Sequence, residues 1–136
     1  VKGGNFLWLM VFGIGLLLLG GGSPLSPSAP FKTDKLSVLV VEESSERGKY
    51  TSDQLNIIQS TDPKSVKVAV ESKGGRFFVL DKDNASALEK ADDWVKEAFP
   101  KVSANPPPWI AGANTKSGFS IPMATEAEVL KKVGGL

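Results

Sequence analysis

The chain has 136 residues, a length for one domain rather than two. Its 16 basic and 15 acidic residues leave a net charge of +1, so composition supplies no basic footprint for nucleic acid. It contains no cysteine and no histidine, which excludes a thiolate nucleophile, a disulfide, an imidazole base, a common zinc site and a cysteine-linked lipid anchor.

Phe6 to Leu19 (FLWLMVFGIGLLLL) is an uncharged apolar block. As a helix it spans about 21 Å, short of the ~30 Å hydrocarbon core until Asn5 and Gly20 to Gly22 are added. Lys2 precedes the block and the next charge is Lys32, so positive charge favours a cytoplasmic N-terminus. Residues 1–22 therefore read as an uncleaved signal anchor, which leaves the rest membrane-tethered outside the cytoplasm. A cleaved signal peptide is the competing reading, with Ser26-Pro27-Ser28 before Ala29 as the cleavage site and a secreted product. A buried core helix is the third. Ser23 to Pro30 (SPLSPSAP) is too proline-rich for helix or sheet, so residues 23–33 form a tether.

Residues 34–136 read as the folded domain. Leu36 to Val41 (LSVLVV) is a valine-rich apolar run, the pattern of a strand buried on both faces. Glu42 and Glu43 end it, and Ser44 to Lys49 reads as a polar loop. Thr51 caps a helix carrying Leu55, Ile57 and Ile58. Asp62-Pro63 signals a second helix, stopped by Gly74 and Gly75. These caps favour helix over the strand that Val66, Val68 and Val70 would also allow. Arg76 to Asp81 (RFFVLD) is the second strand. Asn84 caps a helix with Leu88, Ala91, Trp94, Val95, Ala98 and Phe99 at amphipathic spacing, ended by Pro100. Trp109 to Ile121 reads as a hairpin around the Asn114–Gly118 turn. Thr125 opens a last helix, stopped by Gly134.

The α/β order from residue 36 is βαβαββα, with Pro108 directly before the hairpin. This order resembles the thioredoxin fold. In that family a cis-proline opens the third strand and faces the active-site loop. The resemblance covers residues 34–136 and implies Trp109 to Ala113 as third strand, Phe119 to Ile121 as fourth, and a cis peptide at Pro108. The family's Cys-x-x-Cys follows the first strand; here that stretch is Ser44-Ser45-Glu46-Arg47-Gly48-Lys49-Tyr50. Thiol–disulfide exchange needs an attacking thiolate, so the resemblance implies a redox-inactive member. It also implies a groove for an extended peptide, lined by Ser44, Ser45, Glu46, Arg47, Lys49 and Tyr50 on one side and Pro107, Pro108 and Trp109 on the other.

Other candidate chemistry reads as structure. Asp81, Asp83 and Asn84 offer oxygen ligands, but an EF-hand loop wants glycine and glutamate where Ser86 and Asp92 stand, so a turn and helix cap is expected. Glu42, Glu43 and Glu46 read as a solvated loop with Arg47 and Lys49 as counter-charges. Lys73-Gly74-Gly75-Arg76 lacks P-loop spacing and reads as a helix-to-strand turn. Trp109 reads as core packing, with a contact surface as the alternative. The function expected is a non-enzymatic protein-binding or structural module without a cofactor. The alternatives are a subunit of a membrane or virion assembly, and a small carboxylate- or metal-dependent hydrolase centred on Ser44, Ser45 and Glu46.

Overall fold

The computed structural model describes residues 28–136. The expectations for residues 1–22 and for most of the tether lie outside the described residues; within them, no helix is long and apolar enough to cross a membrane. The domain is a mixed α/β structure around one four-stranded sheet of order β2-β1-β3-β4. The strands are β1 (Ser37–Glu42), β2 (Arg76–Asp81), β3 (Trp109–Ala113) and β4 (Gly118–Pro122). β1 runs parallel to β2 and antiparallel to β3, and β4 returns antiparallel beside β3. The Pro107–Pro108 peptide is cis.

All six residues of β1 are buried, which is why its sequence is apolar without alternation. Val38 and Val40 point to one core, with Ile57, Val66, Val70, Ile110 and Met123. Leu39 and Val41 point to the other, with Leu80, Val95, Ala98 and Ala111. The first core is covered by α1 (Ser52–Gln59), α2 (Val66–Ser72) and α5 (Glu126–Gly134). The second is covered by α3 (Ala85–Lys90) and α4 (Asp93–Val102). Gly112 lets the Phe119 ring approach β3 closely: a Cβ there would stand 2.6 Å from the Phe119 ring.

Local sequence explains most boundaries. Thr51 and Gln54 form a reciprocal capping box at α1. Gly74 ends α2 with φ +78°, a conformation open to glycine. Thr125 caps α5 by accepting from the Glu128 N–H.

Four expectations need correction. The stretch Ser44–Lys49 is a short 3₁₀ helix, not an irregular loop. Asp62-Pro63 does not start α2; Asp62 accepts from the Lys64 and Ser65 N–H groups in a turn, and Ser65 is the cap. The long helix after Asn84 is two helices, because Ala91 and Asp92 are extended and Asp92 restarts the chain as the α4 cap residue. Pro100 lies inside α4, giving up one backbone bond; the helix runs on to Val102, which is buried.

Phe31 and Thr33, expected within the tether, are held against the domain. Phe31 is buried and stacks on Trp94 at 6.2 Å between ring centroids. Arg76 reaches over the same tryptophan, 5.2 Å from its ring, and donates to Thr33, Asp34 and Ser37 at 2.8–3.1 Å. This clasp fastens residues 31–37 to the start of β2. An aromatic residue beside a proline–serine run was the only sequence signal for it.

Candidate functional site

The strand ends bring the predicted site residues to one rim. Glu42, the last residue of β1, pairs in register with Asp81 of β2. Val41 pairs with Trp109 of β3. The 3₁₀ helix Ser44–Lys49 therefore leaves the sheet between the end of β2 and the start of β3.

That helix is held by charged and polar bonds rather than by apolar burial. Arg47 makes a two-pronged ion pair with Glu42: Nε donates to Oε1 at 2.8 Å and Nη2 to Oε2. Glu42 is almost fully buried, whereas the Arg47 side chain is 38% exposed. The pair thus satisfies a carboxylate at the floor of the rim. Bonding to Glu42 holds the Arg47 guanidinium even more firmly protonated than usual. Glu42 was expected in a solvated loop; it belongs to the strand, and only its partner Arg47 reaches solvent.

Tyr50 closes the helix on its own start. Its hydroxyl accepts from the Glu43 N–H at 2.9 Å and donates to the Glu43 carbonyl at 3.2 Å. Burial pushes its ionisation upward. Ser44 and Ser45 are exposed, and Lys49 pairs with Glu46 at 2.9 Å.

A carboxylate corner lies beside the helix. Glu43, Asp81 and Asp83 each place an oxygen within 4.8 Å of the others. Asp81 is committed to structure: Oδ2 accepts from the Ser44 N–H at 2.9 Å and Oδ1 from the Asp83 N–H at 2.8 Å. Hydrogen bonding from Ser44, then from Asp83, holds its carboxyl below the ordinary range. Glu43 behaves oppositely. The Asp83 carboxyl, first as hydrogen-bond partner and also as a charge, raises it, and burial adds to the effect. Oε1 of Glu43 is buried without a partner. Two ionised carboxylates are both acceptors, so Asp83 can donate to Glu43 only when one of the two carries a proton. A cation at this corner would compete with the two backbone amides for Asp81. Asn84 accepts from the Ala87 N–H and caps α3, as read from the sequence.

The second side of the rim is Pro107, Pro108 and Trp109, all half-buried. Trp109 packs against the second core and donates from Nε1 to Ser120 at 2.7 Å. Among the described residues no hydrogen bond joins Ser44–Tyr50 to Pro107–Trp109 directly. They are linked through Met123, whose N–H donates to the Pro108 carbonyl at 3.1 Å and whose carbonyl accepts from Gln54 at 2.8 Å. Gln54 in turn belongs to the capping box that follows Tyr50. Beside this link an open cavity of about 470 Å³ is lined by Thr51 to Gln54, Ala124 and Thr125. Sequence reasoning missed Met123 and Gln54, since neither residue type announces a rim.

Comparison with known family patterns, with curated proteins and with solved structures yields no match to this chain.

Proposed function

We propose that the chain is a non-enzymatic, thioredoxin-like binding module, tethered to a membrane by residues 5 to 22 and displayed outside the cytoplasm. One observation carries this reading. At the end of β1, beside Pro108, the chain builds a self-satisfied 3₁₀ helix, closed by Glu42–Arg47 and by Tyr50 on Glu43. The side chains of Glu42, Arg47 and Tyr50 are spent on holding shape, which suits a recognition surface better than a group that must gain or lose protons. The sheet order, with an antiparallel third strand, supports the thioredoxin-like assignment. The full sequence contains no cysteine, so thiol exchange through its own residues is excluded.

In this reading an extended peptide lies between the 3₁₀ helix and Pro107–Trp109, with Trp109 as apolar anchor and Lys49 as the accessible charge. The test is affinity capture from detergent extracts with the full chain. A partner should be retained by the unaltered protein and lost with Trp109→Ala or Lys49→Glu. Capture that is unchanged by both substitutions overturns the rim as the binding surface. Mass measurement of the mature protein separates anchor from cleaved signal.

A further inference from the structure

The two edges of the sheet are finished differently. β4 forms one edge. Bonds from Asn114 N–H to Ser117 O (2.9 Å) and Met123 N–H to Pro108 O (3.1 Å) frame its ladder with β3. In that antiparallel pattern Phe119 and Ile121 bond inward, and Gly118, Ser120 and Pro122 face outward. Pro122 has no N–H, so this edge is interrupted. β2 forms the other edge. Bonds from Arg76 N–H to Leu36 O (2.9 Å) and Lys82 N–H to Glu42 O (2.8 Å) frame its parallel ladder with β1. Residues 76, 78 and 80 thus bond inward, while Phe77 and Val79 direct both backbone groups outward. Among the described residues nothing pairs with them. The strand carries no proline, and its charges sit only at its ends, so the usual guards of an edge are missing. Phe77, Phe78 and Val79 are half-buried, leaving apolar surface on both faces.

We infer that β2 pairs antiparallel with β2 of a second copy of this chain, about a two-fold axis at Phe78. In this register Phe77 opposes Val79 of the second copy, Val79 opposes its Phe77, and the two Phe78 rings meet on the other face. Every central pair is apolar. The next allowed register, centred on Val79, sets Phe77 against Asp81 and Arg76 against Lys82, a like-charge pair. Charge favours the first register again at the ends. The acidic corner of Glu43, Asp81 and Asp83 comes beside Lys73 of the second copy, whose ammonium is bonded to the neutral carbonyls of Val133 and Gly134. The raised protonation of Glu43 is consistent with a corner short of positive charge in the single chain. One strand pair covers less than the ~1,600 Å² of a standard interface, so association is weak and concentration-dependent.

A cysteine-free chain offers a direct test. Phe78 would face its own copy as a non-hydrogen-bonded pair, about 4.5 Å between Cα atoms and within disulfide range. Full-length Phe78→Cys in detergent should form a covalent dimer under an oxidant, at least tenfold faster than Ser120→Cys on exposed β4. Adding Val79→Pro should abolish the cross-link while leaving the β1 ladder and the circular dichroism intact, because the Val79 N–H points outward. If that variant fails to fold, Phe77→Lys is read the same way. Equal rates for the two cysteine variants, or an undiminished cross-link with either added substitution in folded protein, overturn the inference. So does cross-linking of Phe78→Cys to a different protein in extracts.

Discussion

Glu42 and Arg47 show how a single residue pair shapes the rim. Removing the guanidinium strands a buried carboxylate, so Arg47→Ala is expected to cost about 3 kcal/mol, the low end for a broken buried pair because Arg47 is partly exposed. Replacing both together, as Glu42→Leu with Arg47→Leu, should recover most of that loss; urea midpoints of the two variants check it. Asp83 acts by proximity. Glu43 is raised in the folded state, so its contribution to stability is present below its ordinary value of 4.5 and is lost as pH rises through the folded value. Asp83→Asn removes the like charge and supplies a donor. Its melting temperature should exceed that of the parent at pH 7, the gain should shrink at pH 4, and Glu43 should titrate lower by NMR. Asp81 has the opposite sign: being lowered, it stabilises above its ordinary value of 3.8, and that contribution fades as pH falls. At Gly112 an added methyl meets the Phe119 ring and the Val38 side chain. Gly112→Ala should lower stability by about 1–3 kcal/mol, read from denaturation midpoints.

The elements divide by how their sequences encode them. β1, β2, the β3–β4 hairpin, α1 and α5 were legible because apolar run, cap and turn residue agree at each. The boundaries that slipped are places where two local signals compete. Asp62-Pro63 is good cap chemistry, but Ser65 is the buried cap that α2 uses. The amphipathic stripe across residues 84–102 is continuous in spacing, yet the chain breaks at Ala91–Asp92. The rim was legible as a location, from strand ends and Pro108. Its internal wiring was not, because which carboxylate meets Arg47 depends on where β1 stops, and one residue decides whether Glu42 is strand or loop. The clasp of Arg76 on Thr33, Asp34 and Ser37 gives a further prediction at this scale. Charged hydrogen bonds of this kind contribute about 1.5–3 kcal/mol, so Arg76→Ala should speed tryptic cleavage after Lys32 and Lys35 about tenfold. Cleavage after Lys101, within α4, should change much less; mass spectrometry of limited digests reports both.

For the whole molecule, β1 is the axis. It lies inside the sheet between β2 and β3, it feeds both cores, and its C-terminal end carries the rim. The clasp sits at its other end, around Ser37. A pull on the chain before Ser28 therefore enters through the Phe31–Trp94 stack and the Arg76 fork before it reaches the sheet. Those contacts are few, whereas the β1 ladders share load along their length. The clasp should yield before the sheet does, as a mechanical fuse. The rim, about 17 Å farther along β1, keeps its shape while that happens. A rim built this way holds its geometry under tension.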